Sequence, residues 1–206
     1  MIKAVIFDYG GVIGSNPIGK TYEAVSAEFG VSVGKIRKEY VLLNVPAQKD
    51  AITEEYFWEA FSEKLVVMDA ARLKSVWMRN HQSNRSINDG VVSIVKCLKK
   101  RGYKLGVLSN LPNIYKEYLK DDYVLEMFDA SVHSFEVGSR KDEKKIYDET
   151  VRRLGVKYRD CVIVDDQEEH LRMPEELGFR TVHFVSAEQL KADLSAILPP
   201  GKRVRK

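Results

Sequence analysis

Four short stretches carry side chains suited to handling a phosphoryl group. They are Asp8 in Ala4-Val-Ile-Phe-Asp-Tyr-Gly-Gly-Val12, the pair Ser109-Asn110, Lys141, and the adjacent carboxylates Asp165-Asp166. A carboxylate can attack phosphorus and carry the group as an aspartyl phosphate. A hydroxyl, backbone amides and an ammonium can hold the phosphoryl oxygens while charge redistributes. Asp8 with Asp166 can hold a hard Mg²⁺ ion, which takes few protein carboxylates and keeps several waters. Adjacent aspartates repel unless a cation or donors compensate them. Taken singly, each residue has an ordinary explanation. Asp8 can form a turn before Gly10-Gly11, Ser109-Asn110 can cap a following helix, and Lys141 can be one of a surface cluster with Arg140, Lys144 and Lys145. What joins them is position, each at a predicted strand end or helix start.

Ile2 to Phe7 is a nearly continuous apolar run closed by Asp-Tyr-Gly-Gly, the pattern of a parallel strand buried on both faces. From about Ser15 to Ser86 the periodicity is helical, with helices predicted over 18–29, 33–43, 53–65 and 69–80 and with Thr53 and Asp69 as N-caps. Beyond Asn88 helices and strands alternate. Val91, Ile94, Val95 and Leu98 form a helical stripe that closes at Gly102, and a strand over 104–108 follows. A helix near 113–120, a strand at 130–133, a helix at 144–154 and a strand at 161–164 continue the rhythm. A helical stretch from Gln167, a strand at 180–184 and a last helix opened by a Ser186/Gln189 capping box complete it before Pro199. Pro174 predicts a break near Met173, since proline removes a helical donor. The expected class is α/β. A doubly wound, Rossmann-like parallel sheet core (1–14 and 87–200) is interrupted by an inserted helical unit (15–86). Ligands of such sheets bind outside the carboxyl ends of the strands, where the polar residues above lie.

The ordered set Phe-Asp-Tyr-Gly-Gly-Val, Leu-Ser-Asn, Gly138-Ser-Arg-Lys141 leading into Ile146-Tyr147, and Ile-Val-Asp-Asp resembles the haloacid dehalogenase-like hydrolases over essentially the whole chain. The resemblance implies that Asp8 is nucleophile and metal ligand, and that Gly10 lends its carbonyl to the metal. It implies that Ser109 and the amides from Asn110 onward bind the phosphoryl group, with Lys141 neutralising charge between nucleophile and substrate. Asp166 would bind Mg²⁺ directly, with Asp165 nearby or bridged through water. The inserted helices would be a cap that closes over the site and excludes bulk water. The activity implied is Mg²⁺-dependent hydrolysis of a small phosphate monoester, a sugar phosphate among the candidates. Two alternatives stand beside it: a metal-independent 2-haloacid dehalogenase, and a catalytically impaired binding or regulatory protein that keeps the fold. The second is raised by Gly10, which stands where most phosphatases of the family carry an acid/base Asp. Asp142 replaces a common proline, and His170, where relatives often have Asn, reads as a helix-face residue with a local hydrogen bond. Tyr9 should point away from the site, because strand side chains alternate faces.

The rest of the composition narrows the field. The 206 residues are 44% hydrophobic, enough for a real interior, and 33 basic against 30 acidic residues leave a net charge of only +3. No broad field therefore selects nucleic acid or an anionic membrane. The partner that the resemblance implies is a small phosphorylated molecule. The basic tail 201–206 is expected to be disordered. Cys97 and Cys161 lack metal or disulfide spacing and are expected to be buried free thiols. The chain opens on strand-like residues without a signal peptide, and no apolar stretch reaches the roughly 18 residues a span requires, so a cytoplasmic protein is expected. Tyr56, Phe57, Trp58, Phe61 and Trp77 are expected to pack the inserted helices together.

Overall fold

Every residue of the first strand, Ala4–Phe7 (β1), is buried, because it lies between two parallel neighbours with helices on both faces. The computed structural model describes residues 1–120 and 122–199, so the tail 201–206 lies outside the described residues. With β2 (Lys104–Ser109), β3 (Ala130–His133), β4 (Cys161–Asp165) and β5 (Arg180–His183), β1 forms one parallel sheet in the order β3-β2-β1-β4-β5. Chain order departs in both directions from β1, which makes the end of that strand the switch point.

The helices are α1 (Ile18–Phe29), α2 (Val33–Gln48), α3 (Glu54–Leu65), α4 (Ala70–Ser83), α5 (Asp89–Lys100), α6 (Ser134–Val137), α7 (Lys144–Leu154), α8 (Arg172–Leu177) and α9 (Ala187–Ile197). Strand alternation sends Val5, Phe7, Val107 and Val164 into one core with α5 and α9. It sends Ala4, Ile6, Leu108 and Ile163 into another with α7 and the residues around α8. A third core belongs to α1–α4 and centres on Trp77, stacked on Tyr40 at 4.7 Å between ring centroids. Ser32, Thr53, Asp69 and Asn88 cap their helices by accepting from the amides of Lys35, Tyr56, Arg72 and Val91, each worth about 1 kcal/mol.

Several local details differ from the sequence reading for identifiable reasons. α2 continues through Pro46 to Gln48, because the carbonyl its ring would leave unbonded belongs to solvent-exposed Leu42. Residues Asn113–Leu119 wind as a 3₁₀ helix, not an α-helix, and Ile114 and Tyr115 join the core of α1–α4. Anchors to the inserted helices hold that segment: Trp77 Nε1 donates to Tyr115 Oη at 2.8 Å, and Tyr118 Oη donates to the Met78 carbonyl at 2.7 Å. The chain breaks between a short 3₁₀ turn (Glu168–His170) and α8, two residues before Met173, which puts Pro174 in a first turn that needs no helical donor from it. Cys161 is buried, whereas Cys97 is exposed, outside the apolar stripe of α5.

The two crossings between the helical unit and the sheet run side by side. Ser15 N donates to Ser86 O at 2.8 Å and Asn88 N to Ile13 O at 2.9 Å, and Gly14 bridges Ile87. Arg85, in the second crossing, donates to Tyr9 Oη at 2.7 Å and to Asp122 Oδ2 at 3.0 Å, with its guanidinium 5.4 Å from the Tyr9 ring centroid. The Tyr9 ring is thus engaged at the crossings. Among the described residues no helix is long and apolar enough to cross a membrane.

Candidate active site

Phe7 pairs with Val107 on one side and Val164 on the other, so the next residue, Asp8, emerges at the sheet's switch point level with Leu108, one residue before Ser109, and with Asp165. Its amide donates to Val164 O at 2.8 Å, which continues the ladder one step past β1. The following Gly10-Gly11 turn lets Asp166 approach. Gly11 has φ +94°, and a Cβ there would lie 2.3 Å from Asp166 Oδ2. A Cβ on Gly10 would meet nothing within 4 Å. Gly11→Ala is therefore expected to cost about 1–3 kcal/mol, roughly 3–10 °C in melting temperature, whereas Gly10→Ala should cost under about 1 kcal/mol. Equal thermal shifts for the two variants would contradict this geometry.

Lys141 reaches the same point from the loop after α6. Its ammonium donates to Asp8 Oδ1 and, at 2.7 Å, to Asp165 Oδ2, with all three residues buried. Its backbone is held from two directions: Lys141 N donates to Asn110 Oδ1 at 3.0 Å, and Tyr147 Oη donates to Lys141 O at 2.7 Å. Asp165 also accepts from Gln167 N at 2.9 Å, and His170 Nδ1 lies 3.3 Å from its Oδ1. His170 thus makes the local contact expected of it, to a carboxylate of the cluster. Ser109 is buried at the end of β2, where its own carbonyl accepts from Leu111 N at 3.1 Å.

The electrostatics are unbalanced. Burial pushes Asp8 up to about 6 against the pull of Lys141, and Asp165 and Asp166 raise it further. Burial also opposes ionisation of Asp165, but the His170 contact and the Lys141 ammonium bring it down to about 2. Burial and the Asp165 charge raise Asp166. Burial disfavours the Lys141 charge, yet Asp8 and Asp165 hold its ammonium above the ordinary lysine range. Asp8, Asp165 and Asp166 each offer an oxygen within 4.8 Å of the others, and Asp166 Oδ1 is buried with no partner among the described residues. Three carboxylates facing one ammonium leave two negative charges uncompensated. An all-oxygen donor set of that charge fits a hard divalent cation.

The end of α2 covers the two loops. Gln48 Nε2 donates to Asn110 O at 3.2 Å and Lys49 Nζ to Glu143 Oε1 at 2.8 Å. The structure brings together Asp8, Lys141, Asp165 and Asp166, sets Ser109 and Asn110 beside them, and places Gly10 on the turn between Asp8 and the glycine that admits Asp166. Sequence reasoning missed the Tyr147 hydroxyl and the contact of Gln48, at the end of α2, with Asn110. A tyrosine inside the motif helix was a signal for the first, and nothing in the sequence marked the second.

A family model described as haloacid dehalogenase-like hydrolase matches residues 2–178. Chloroplastic flavin mononucleotide hydrolase 1 of Arabidopsis thaliana is 26% identical over 199 residues, covering 94% of this chain and 77% of that protein. A haloacid dehalogenase family enzyme of Bacteroides thetaiotaomicron, solved with magnesium and inorganic phosphate, superposes with a TM-score of 0.77 at 20% identity, covering 97% of this chain and 100% of that one. L-2-haloacid dehalogenase of Xanthobacter autotrophicus, with chloropropionic acid covalently bound, superposes at 0.66 and 18% identity over 97% and 85%. The two solved structures share the fold and hold different ligands, and at such identities they show the fold alone, so the chemistry of this chain must be read from the side chains at its site.

Proposed function

We propose that this chain, which belongs to the haloacid dehalogenase-like hydrolase family, hydrolyses a small phosphate monoester through an aspartyl phosphate on Asp8, with Mg²⁺ as cofactor. The observation that carries the reading is the uncompensated cluster: three carboxylates, one ammonium and an Asp166 oxygen with no partner among the described residues. A metal-free attack on a carbon–halogen bond has no use for such a cation site. Asp8 and Asp166, with the Gly10 carbonyl, would hold the ion, and Asp165, already engaged by Lys141, Gln167 and His170, would reach it through water. Bound Mg²⁺ supplies charge neutralisation for Asp8 and the phosphoryl oxygens.

The chain's own groups do the rest. Lys141 orients Asp8 and offsets the charge that builds up between carboxylate and phosphate. Ser109 and the amides that follow it cradle the remaining phosphoryl oxygens. As the Asp8–phosphorus bond forms, the ester P–O bond breaks and the leaving alkoxide takes a proton from water, since Gly10 offers none. Water then attacks the phosphoenzyme, releasing inorganic phosphate and restoring the Asp8 carboxylate. Residues 15–86 act as the cap, and docking through Gln48 and Lys49 keeps bulk water from the acyl phosphate.

Release of phosphate from p-nitrophenyl phosphate is expected to fall to background in EDTA and to return with added Mg²⁺. Halide release from 2-haloacids in EDTA, with phosphate esters untouched, would overturn the reading. The name of the Arabidopsis relative places flavin mononucleotide in the substrate panel beside sugar phosphates.

A further inference from the structure

We propose that His183, at the end of β5, is a positioning residue for the cation site, fixing Asp166 through the main chain and so setting the strength and selectivity of Mg²⁺ binding. This rests on the reading of Asp8, Asp165 and Asp166 as the ligand cluster. The two adjacent aspartates are held in different ways. The Asp165 carboxylate is fixed directly, by Lys141 Nζ, Gln167 N and His170 Nδ1. Asp166 Oδ1 has no partner among the described residues, and Asp166 Oδ2 lies against Gly11, where a Cβ would be 2.3 Å away. What locates the Asp166 carboxylate is therefore its main chain.

β5 holds that main chain at two consecutive carbonyls. Phe184 N donates to Asp165 O at 2.8 Å, and His183 Nε2 donates to Asp166 O at 3.0 Å, since a carbonyl can only accept. The first bond belongs to the ladder, in which Asp165 pairs with His183, the last pair of the two strands. The second lies beyond the ladder and depends on one side chain. On its other edge the imidazole faces Glu168, with Nδ1 3.8 Å from Oε1, so it sits between the Asp166 carbonyl and the 3₁₀ turn that follows both aspartates. Mg²⁺ demands near-ideal octahedral geometry, whereas Ca²⁺ accepts irregular sets of oxygens, so a ligand free to shift penalises Mg²⁺ more. Groups that orient a metal ligand from outside the coordination shell are worth about 10- to 100-fold in affinity. The His183 side chain is 41% exposed and acts through a carbonyl, which places it at the lower end of that range.

The test titrates MgCl₂ or CaCl₂ alone, without substrate, into the wild type, His183→Leu and His183→Gln, and reads the midpoint of the metal-dependent rise in melting temperature. His183→Leu is expected to need about tenfold more Mg²⁺ than the wild type, and less than about threefold more Ca²⁺. His183→Gln keeps a donor at similar reach and is expected to recover most of the Mg²⁺ affinity. Comparing the two metals on each protein cancels a uniform loss of stability. An unchanged Mg²⁺ midpoint in His183→Leu would overturn the proposal. So would equal losses for both metals, or a His183→Gln protein as impaired as His183→Leu, either of which would leave His183 as a brace for β5 alone. A wild type that does not respond to Mg²⁺ would overturn the reading of the cluster as a cation site, and this proposal with it.

Discussion

Asp8→Asn is expected to abolish phosphate release, lowering kcat by on the order of 10⁴ or more, because a carboxamide cannot form the acyl phosphate. The same substitution is expected to stabilise the metal-free protein. The Asp8 carboxyl titrates near 6 in the fold against an ordinary value of 3.8, so keeping it ionised at neutral pH opposes folding by ~3 kcal/mol. The sign follows from the direction of that shift. A raised carboxyl pKa favours the folded state while the group is protonated, and this advantage is lost as pH rises from about 4 through 6. In EDTA, then, Asp8→Asn should melt above the wild type at pH 7.5, and the gap should close towards pH 4. Added Mg²⁺ should raise the wild type more than the variant. Retained turnover in Asp8→Asn would sink the mechanism, and a variant less stable than the wild type in EDTA at pH 7.5 would contradict the electrostatics of the cluster.

Gly10→Asp should act in the opposite direction. Position 10 follows the nucleophile by two residues, a Cβ there meets nothing within 4 Å, and its φ lies outside the left-handed region. A carboxyl group placed there can protonate a leaving alkoxide and then take a proton from water, a role worth ~10² to 10⁴ in rate. The gain belongs to esters whose leaving group is a strong base. Turnover of an alkyl phosphate is thus expected to rise by that factor, and turnover of p-nitrophenyl phosphate, whose phenolate leaves without a proton, by far less. A folded Gly10→Asp protein with an unchanged ratio between the two esters would mean that protonation does not limit the wild type.

The strand ends were legible because buried parallel strands are unbroken apolar runs, and a polar residue that interrupts one stands out: Asp8 after Phe7, Asp165 after Val164. The caps Thr53, Asp69 and Ser186 were legible because capping is a local event. Contacts set by distant packing were not. Lys141 meets carboxylates 133 and 24 residues away, and only the resemblance, not its lysine-rich neighbourhood, distinguished it. The 3₁₀ winding of 113–119 follows from anchors in α4, and the helical reading of those residues carried no trace of them. The expected end of the second helix at Leu43 fell short, because α2 runs on through Pro46, whose cost is lowered by the exposure of Leu42 one helical turn away.

The paired crossings fix the inserted helices beside the end of β1. Ser15–Ser86 and Asn88–Ile13 tie the two chain passages together as one strap, and Arg85 rivets that strap to Tyr9 and Asp122. The α1–α4 unit has a second attachment, where Gln48 meets Asn110 and Lys49 meets Glu143. It is therefore moored to the sheet at two places, and the strap runs through Tyr9, the residue next to Asp8.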